Sequence, residues 1–285
     1  MADKIVRGIL GGNVARVLAV DVAGVAEQAC QLHELRGDAA KLAAESVVAS
    51  VFLAGQIKGE ERVSFQLQGS NPVCAFIGDV DASGGVRARF TPGVVTVPEQ
   101  GRVEGMLLVI KSLPGKELYR GVTAVESETI EEALSKHLGG SSQVDTILCI
   151  RAEVDDGHVI YAGGILIERL PADPGRELEA SAEFIVAFDP VREMTIPALF
   201  DAIGAGELEG VSFQVLEEQP IKWRCSCGQE RVEAVIASMP LTELTAMLQE
   251  DGQAEVICHF CNIAYQVSGA KLEQMILAHA SDDMN

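Results

Sequence analysis

Four cysteines near the end of the chain constrain its folding more than any other feature. They stand as Cys225-x-Cys227 and Cys258-x-x-Cys261, with residues 228–257 between the pairs. Each tight pair can present two sulfurs to one small ion, and a tetrahedral metal uses all four at once. Zinc is the predicted ion, one per chain, because it accepts four thiolates and has no redox chemistry of its own. The other cysteines, Cys30, Cys74 and Cys149, are scattered singly, as structural thiols usually are. A module as small as 221–270 has little core of its own. Structural zinc contributes roughly 10–16 kcal/mol of apparent binding energy in small zinc folds, so losing the metal should unfold it.

The Cys-x-Cys spacing carries a second implication. Residues two apart lie about 5.5–7 Å apart at Cα, near the upper end of disulfide reach. A bond between Cys225 and Cys227 would be strained, and strained disulfides are the labile, regulatory ones. The four thiols can therefore hold zinc when reduced and form two local disulfides when oxidised. Metal binding occupies sulfur lone pairs but keeps every sulfur deprotonated and ready for an oxidant. Lys222, Arg224 and Arg231 stand nearby to offset the thiolate charge. His259 sits between two ligands, but four cysteines already fill a tetrahedron, so it is expected beside the site or exposed.

The rest of the composition excludes several function classes. With 285 residues, 48% of them apolar, the chain can bury a sizeable core and form two domains. A net charge of −20 opposes binding to nucleic acid or to an anionic membrane surface. No apolar run reaches spanning length. Seven cysteines, an odd number with a metal-like cluster, fit a reducing cytosol, so the protein is expected to be cytoplasmic. No nucleophile elbow, P-loop or H-E-x-x-H motif is present, and His33, His137, His158 and His279 are isolated, so no catalytic residues are assigned.

In chain order, residues 3–22 predict a hairpin. Helices are expected over Val25–Leu35 and over Asp38–Lys58, with Asp38 as N-cap. A strand meander follows over 62–90, then strands at 106–111 and 118–125. A helix over 128–138 is capped by Ser127, and a hairpin spans 144–168. Residues 171–220 change character. They carry two arginines against eleven carboxylates, a balance of −9, yet include Phe184, Ile185, Phe188, Leu199, Phe200 and Ile203. Short helices are expected over Arg176–Phe188 and Ile196–Ile203. Neither is stable alone, so each needs a surface to dock on. Two readings stand side by side: a small helical subdomain with a solvated acidic face, or a metastable element poised to open. In the cysteine module the pattern predicts a strand over Arg231–Ile236, a helix over Ser238–Gln249, strands at 254–257 and 264–267, and a closing helix over 271–279.

W-R-C-S-C at 223–227 and E-D-G-Q-A-E-V-I-C-H-F-C-N at 250–262 resemble the zinc domain of the HslO family, the redox-regulated heat-shock holdases of bacteria. Weaker motifs extend the resemblance over nearly the whole chain: residues 69–75, Gly84-Gly85-Val86-Arg87, Tyr119-Arg120-Gly121 and Ala162-Gly163-Gly164-Ile165. Where that family usually has Ser-Glu-Gln, this chain has Ser141-Ser142-Gln143 and lacks the carboxylate.

The expected fold is α+β. It comprises an N-terminal core domain (1–170) with antiparallel sheet and packed helices, an acidic helical linker (171–220) and a C-terminal zinc redox-switch domain (221–285). The expected activity is an ATP-independent holdase and not an enzyme. Oxidation removes the metal ligands, the module loses its main stabiliser, and 171–220 opens and exposes apolar surface that includes the six residues named above. The resemblance further implies disulfides Cys225–Cys227 and Cys258–Cys261, a homodimer when oxidised, unfolded client proteins as partners, and resetting by cellular thiol reductants. Two alternatives are a constitutive zinc interaction module without a switch and a thiol–disulfide oxidoreductase.

Overall fold

The computed structural model describes residues 2–11, 14–92, 101–141, 145–171, 184 and 188–282. The chain divides into two units, Met1–Arg224 and Cys225–Asn285.

Two six-stranded sheets frame the first unit. In the first sheet the order is β10 (Glu207–Leu208), β11 (Val211–Pro220), β1 (Lys4–Leu10), β2 (Ala15–Asp21), β9 (His158–Arg169) and β8 (Thr146–Asp155). In the second it is β12 (Lys222–Trp223), β5 (Gly85–Pro92), β4 (Val73–Asp81), β3 (Arg62–Asn71), β6 (Val103–Leu113) and β7 (Lys116–Glu128). Neighbours are antiparallel, except that β12 runs parallel to β5. Helices α1 (Ala23–Leu32), α2 (Gly37–Ala54) and α3 (Ile130–Ser141) pack with both sheets around one core. Helix α2 is its centre and is buried on nearly every side. Its Ser46 and Ser50 hydroxyls are satisfied by donating to the Leu42 and Ser46 carbonyls, each at 2.8 Å.

The two sheets differ in a way their sequences encode. In the second sheet Val63, Phe65 and Leu67 are buried while Ser64, Gln66 and Gln68 point outward, the alternation of a sheet covered on one face. In the first sheet the strands are apolar in continuous runs. Leu148, Ile150 and Leu166 face the helices, whereas Ile147, Cys149, Ile165 and Ile167 face the opposite way. That second face needs its own cover. Phe184, Phe188, Val191, Ile196, Leu199, Phe200 and Ile203 provide it, together with Leu208 and Phe213.

The glycine motifs have local causes. A Cβ on Gly163 would strike the Val20 carbonyl and one on Gly164 the Cys149 carbonyl, so β9 lies close between β2 and β8 only because it lacks side chains there. Gly84 has φ +85° and faces the Pro220 carbonyl. Its own carbonyl accepts from Lys222 N at 2.9 Å, and the Val86 carbonyl accepts from Arg224 N at 2.7 Å, which fastens β12 to β5.

Several local expectations are corrected. Residues 231–236 are helical, within α5 (Gln229–Ala237). The buried positions are Val232 and Ile236, while Ala234 between them is exposed; a strand would put all three on one face, so the period is that of a helix. Ser127 does not cap α3, since its φ is +61°. The cap is a reciprocal Thr129–Glu132 box, with Glu132 N donating to Thr129 Oγ1 (3.2 Å) and Thr129 N to Glu132 Oε2 (2.9 Å). Asp38 lies in the first turn of α2, and the N-cap is Arg36. Within 171–220, residues 207–208 and 211–220 are strands, which the acidic composition concealed. Lys4 pairs with Glu218 at 3.2 Å and Arg7 with Glu217 at 3.4 Å, so basic residues of β1 offset the charge of β11. The expected helix over 176–188 lies outside the described residues except for Phe184 and Phe188, both helical. Ser142 also lies outside them.

Candidate metal centre

The second unit is small. Helices α5, α6 (Leu241–Glu250) and α7 (Gly269–Asp282) pack on the hairpin of β13 (Gln253–Ile257) and β14 (Ala264–Ser268). Its buried core is Val232, Ile236, Leu244, Ala254, Val267, Leu272 and Met275.

Two short loops deliver the cysteines. Cys225 and Cys227 precede α5, where Arg231 Nη1 holds the loop by donating to Ser226 Oγ at 3.2 Å. Cys258 and Cys261 form the tip of the β13–β14 hairpin. There Cys258 N donates to the Ile263 carbonyl (3.0 Å) and Asn262 N to the Cys258 carbonyl (2.8 Å), with Asn262 at φ +55°. Asparagine tolerates that left-handed conformation better than most residues. The turn curls the chain back so that the Phe260 and Cys261 amides point at the Cys258 sulfur.

All four sulfurs lie within 4.8 Å of one another. Cys225 Sγ is 3.6 Å from Cys258 Sγ, and Cys227 Sγ is 3.3 Å from Cys261 Sγ. All seven cysteines are free. In a tetrahedral thiolate site with metal–sulfur bonds of about 2.3 Å, the sulfurs lie about 3.8 Å apart, close to the two distances given and inside the 4.8 Å limit of the cluster. The donor set therefore fits a metal ion. His259 is exposed and lies outside the sulfur cluster.

The thiols are not equivalent. Burial raises the pKa of Cys258, but amide N–H bonds from Phe260 and Cys261, with thiol bonds from Cys225 and Cys261, outweigh it and bring the group down to about 7. Burial pushes Cys225 up, and it pushes Cys261 strongly up with added bonds from the neighbouring thiols. Sequence reasoning missed one further member. The Tyr265 hydroxyl lies 3.0 Å from Cys227 Sγ, and that bond, then burial, pushes the phenol up to about 12. The signal available was its place four residues beyond Cys261, on the strand leaving the hairpin tip.

The model of the Hsp33 protein family matches residues 3–268 of the chain. The chain belongs to the Hsp33 family. The resemblance visible in the sequence is to this same family. Its relatives include the 33 kDa chaperonin of Bacillus velezensis, 26% identical over 96% of this chain and 98% of that one. Another is the 33 kDa chaperonin of Geobacter sulfurreducens, 29% identical over 96% and 95%. The crystal structure of the 33 kDa chaperonin of Thermotoga maritima superposes with a TM-score of 0.80, covering 99% of this chain and 100% of that one at 21% identity, which establishes a shared fold. The protein is thus an Hsp33-family chaperone with a four-cysteine cluster. Among the described residues no helix is long and apolar enough to cross a membrane.

The remaining sequence-predicted residues also have defined places. Phe184, Phe188, Leu199, Phe200 and Ile203 are brought together, buried on the outer face of the first sheet. Helix α4 (Ile196–Ala205) is started by Thr195, whose hydroxyl accepts from Ala198 N, and is ended by Gly206 at φ +78°. Its buried positions, 196, 199, 200 and 203, form one stripe. Ile185 lies outside the described residues.

Proposed function

We propose that this Hsp33-family chain is a redox-regulated holdase that works without ATP and is not an enzyme. The observation that carries the reading is the gathering of Cys225, Cys227, Cys258 and Cys261 in one sulfur cluster. These four residues would hold one Zn2+ per chain in the reduced state. The ion when bound would supply a crosslink between the loop before α5 and the hairpin tip, in a unit with a core of few residues.

Each cysteine pair gives two electrons to a peroxide, which is reduced to water, and closes as a disulfide: Cys225 with Cys227, Cys258 with Cys261. No thiolate then remains to bind the metal. The second unit loses its main stabiliser, and 171–220, the functional linker that precedes it in the chain, is released. The acidic charge of that stretch favours its departure. Its undocking uncovers two apolar surfaces. One is the linker set Phe184, Ile185, Phe188, Leu199, Phe200 and Ile203. The other is the sheet face it had covered, with Val6, Leu10, Val17, Ile147, Ile165 and Ile167. Unfolding client proteins bind there, and the oxidised chain pairs as a homodimer. Cytoplasmic thiol reductants restore the thiols.

The test follows metal release with a colorimetric chelator during peroxide treatment, alongside light scattering of a heat-denaturing client. The expected result is one zinc released per chain, with client protection that a thiol reductant reverses. Zinc retained under oxidant, with no protection, would overturn the reading in favour of a constitutive zinc module. Catalytic turnover of substrate disulfides would overturn it in favour of an oxidoreductase.

A further inference from the structure

Tyr265 makes a polar contact to the sulfur cluster from outside the four cysteines. It lies on β14 opposite Val256 in the hairpin register. Its half-buried ring packs on the small core of the second unit, which fixes where the hydroxyl points. The hydroxyl is 3.0 Å from Cys227 Sγ. When Cys227 is a thiolate it carries no proton, so the phenol must be the donor. A hydrogen bond to an anionic sulfur is charge-assisted and draws on the lone pair that would attack an electrophile.

We propose that Tyr265 is a positioning residue that lowers the nucleophilicity of Cys227, through its hydroxyl, and so sets how readily this sulfur is oxidised. The inference rests on the redox reading given above for the same site. In the step concerned, the Cys227 thiolate attacks one oxygen of a peroxide and the O–O bond breaks. Hydroxide or alkoxide departs and the sulfur becomes a sulfenic acid. A second thiolate, that of Cys225, then displaces hydroxide from this sulfur and closes the disulfide. The phenol draws charge from the sulfur that attacks in the first step. Freeing it accelerates that step at Cys227 and leaves Cys258, at the other loop, as an internal reference.

The experiment compares full-length, zinc-loaded wild type with Tyr265→Phe, which removes one oxygen and keeps the ring. Iodoacetamide is added in pulses, and modification of each cysteine is read by mass spectrometry; a parallel series uses hydrogen peroxide. The expected result is a rise of about three- to tenfold in the rate at Cys227 relative to Cys258. An unchanged ratio overturns the proposal. So does an equal acceleration of all four cysteines, because that pattern means Tyr265 only holds the fold. Replacing the tyrosines with 3-fluorotyrosine, whose more acidic hydroxyl donates more strongly, should slow Cys227 below wild type; a faster or unchanged rate counts against the proposal. Alkylation needs no oxidant, so the ratio remains decisive even if peroxide yields no client protection, a result that would overturn only the holdase reading.

Discussion

At the scale of the residue, seven cysteines of one chain differ in chemistry because they differ in surroundings. Cys30 is pushed up to about 12 and Cys149 to about 11, in each case by burial first. The thiol and not the thiolate prevails there at neutral pH, and the thiolate is the form that reacts. Peroxide that oxidises the four clustered cysteines should therefore leave Cys30 and Cys149 reduced, as differential alkylation and mass spectrometry would show. Cys258 goes the other way. In the folded second unit its thiolate prevails above about 7, whereas burial holds Cys225 and Cys261 in the thiol form to above 9.0, the ordinary thiol value. The sign for stability follows from the depressed value. Ionisation of Cys258 favours the folded unit above the ordinary thiol pKa, and that contribution is lost as the pH falls through about 7.

At the scale of the element, the sequence is most informative where one chemical period dominates. The strands of the meander alternate cleanly, and the run Ile196–Ile203, with Leu199, Phe200 and Ile203, reads as a short helix that needs a docking surface, as α4 is. Residues 231–236 are ambiguous because Val232, Ala234 and Ile236 alternate as in a strand while Val232, Val235 and Ile236 have helical spacing, and the exposure of Ala234 decides between them. Strand β11 was concealed by its acidic end, although Val211, Phe213 and Val215 alternate. Its partners on β1 lie about two hundred positions earlier in the chain, a separation no local pattern reports. Neither could the sequence show what pins the docked stretch. Arg192, in the turn of 3-10 helix at Asp189–Glu193, donates from Nη1 to the Leu148 carbonyl at 2.8 Å and to Glu131 Oε1 at 3.2 Å. Arg151 Nη1 donates to Glu131 Oε2 at 2.9 Å, and its Nη2 donates to the Arg192 carbonyl at 2.8 Å. Hydrogen bonds to charged groups contribute about 1.5–3 kcal/mol each in partly buried settings. Arg192→Ala should loosen this attachment by about 2 kcal/mol. Amide exchange over 189–205 should rise more than tenfold while β3 and β6 stay protected. The reduced variant should protect a client at a lower temperature than reduced wild type. Unchanged exchange over 189–205 would mean that the apolar contacts alone hold the stretch.

At the scale of the whole molecule, the two units draw their stability from different sources. The first has a continuous core centred on α2 and a second apolar layer beneath 184–213. Among the described residues the second has a core of Val232, Ile236, Leu244, Ala254, Val267, Leu272 and Met275, and a sulfur cluster that fits one ion. The apolar core of a domain this small supplies only a narrow margin of stability. Removing the ion without any oxidant isolates this difference. A strong chelator under reducing conditions should abolish exchange protection over 229–282 and leave β3, β4, β6 and α2 near their native protection. Adding zinc back should restore the second unit, because the free thiols remain competent ligands. Peroxide followed by zinc should not, because the ligands are then tied up as disulfides until a thiol reductant is supplied. The comparison also separates loss of the ion from formation of the disulfides as the cause of activation. If chelation alone uncovers 189–205 and confers client protection, unfolding of the second unit is sufficient to release the linker. If it uncovers only 229–282, the disulfides contribute something that removal of the ion does not, and the release of 171–220 must be sought in the oxidised chain itself.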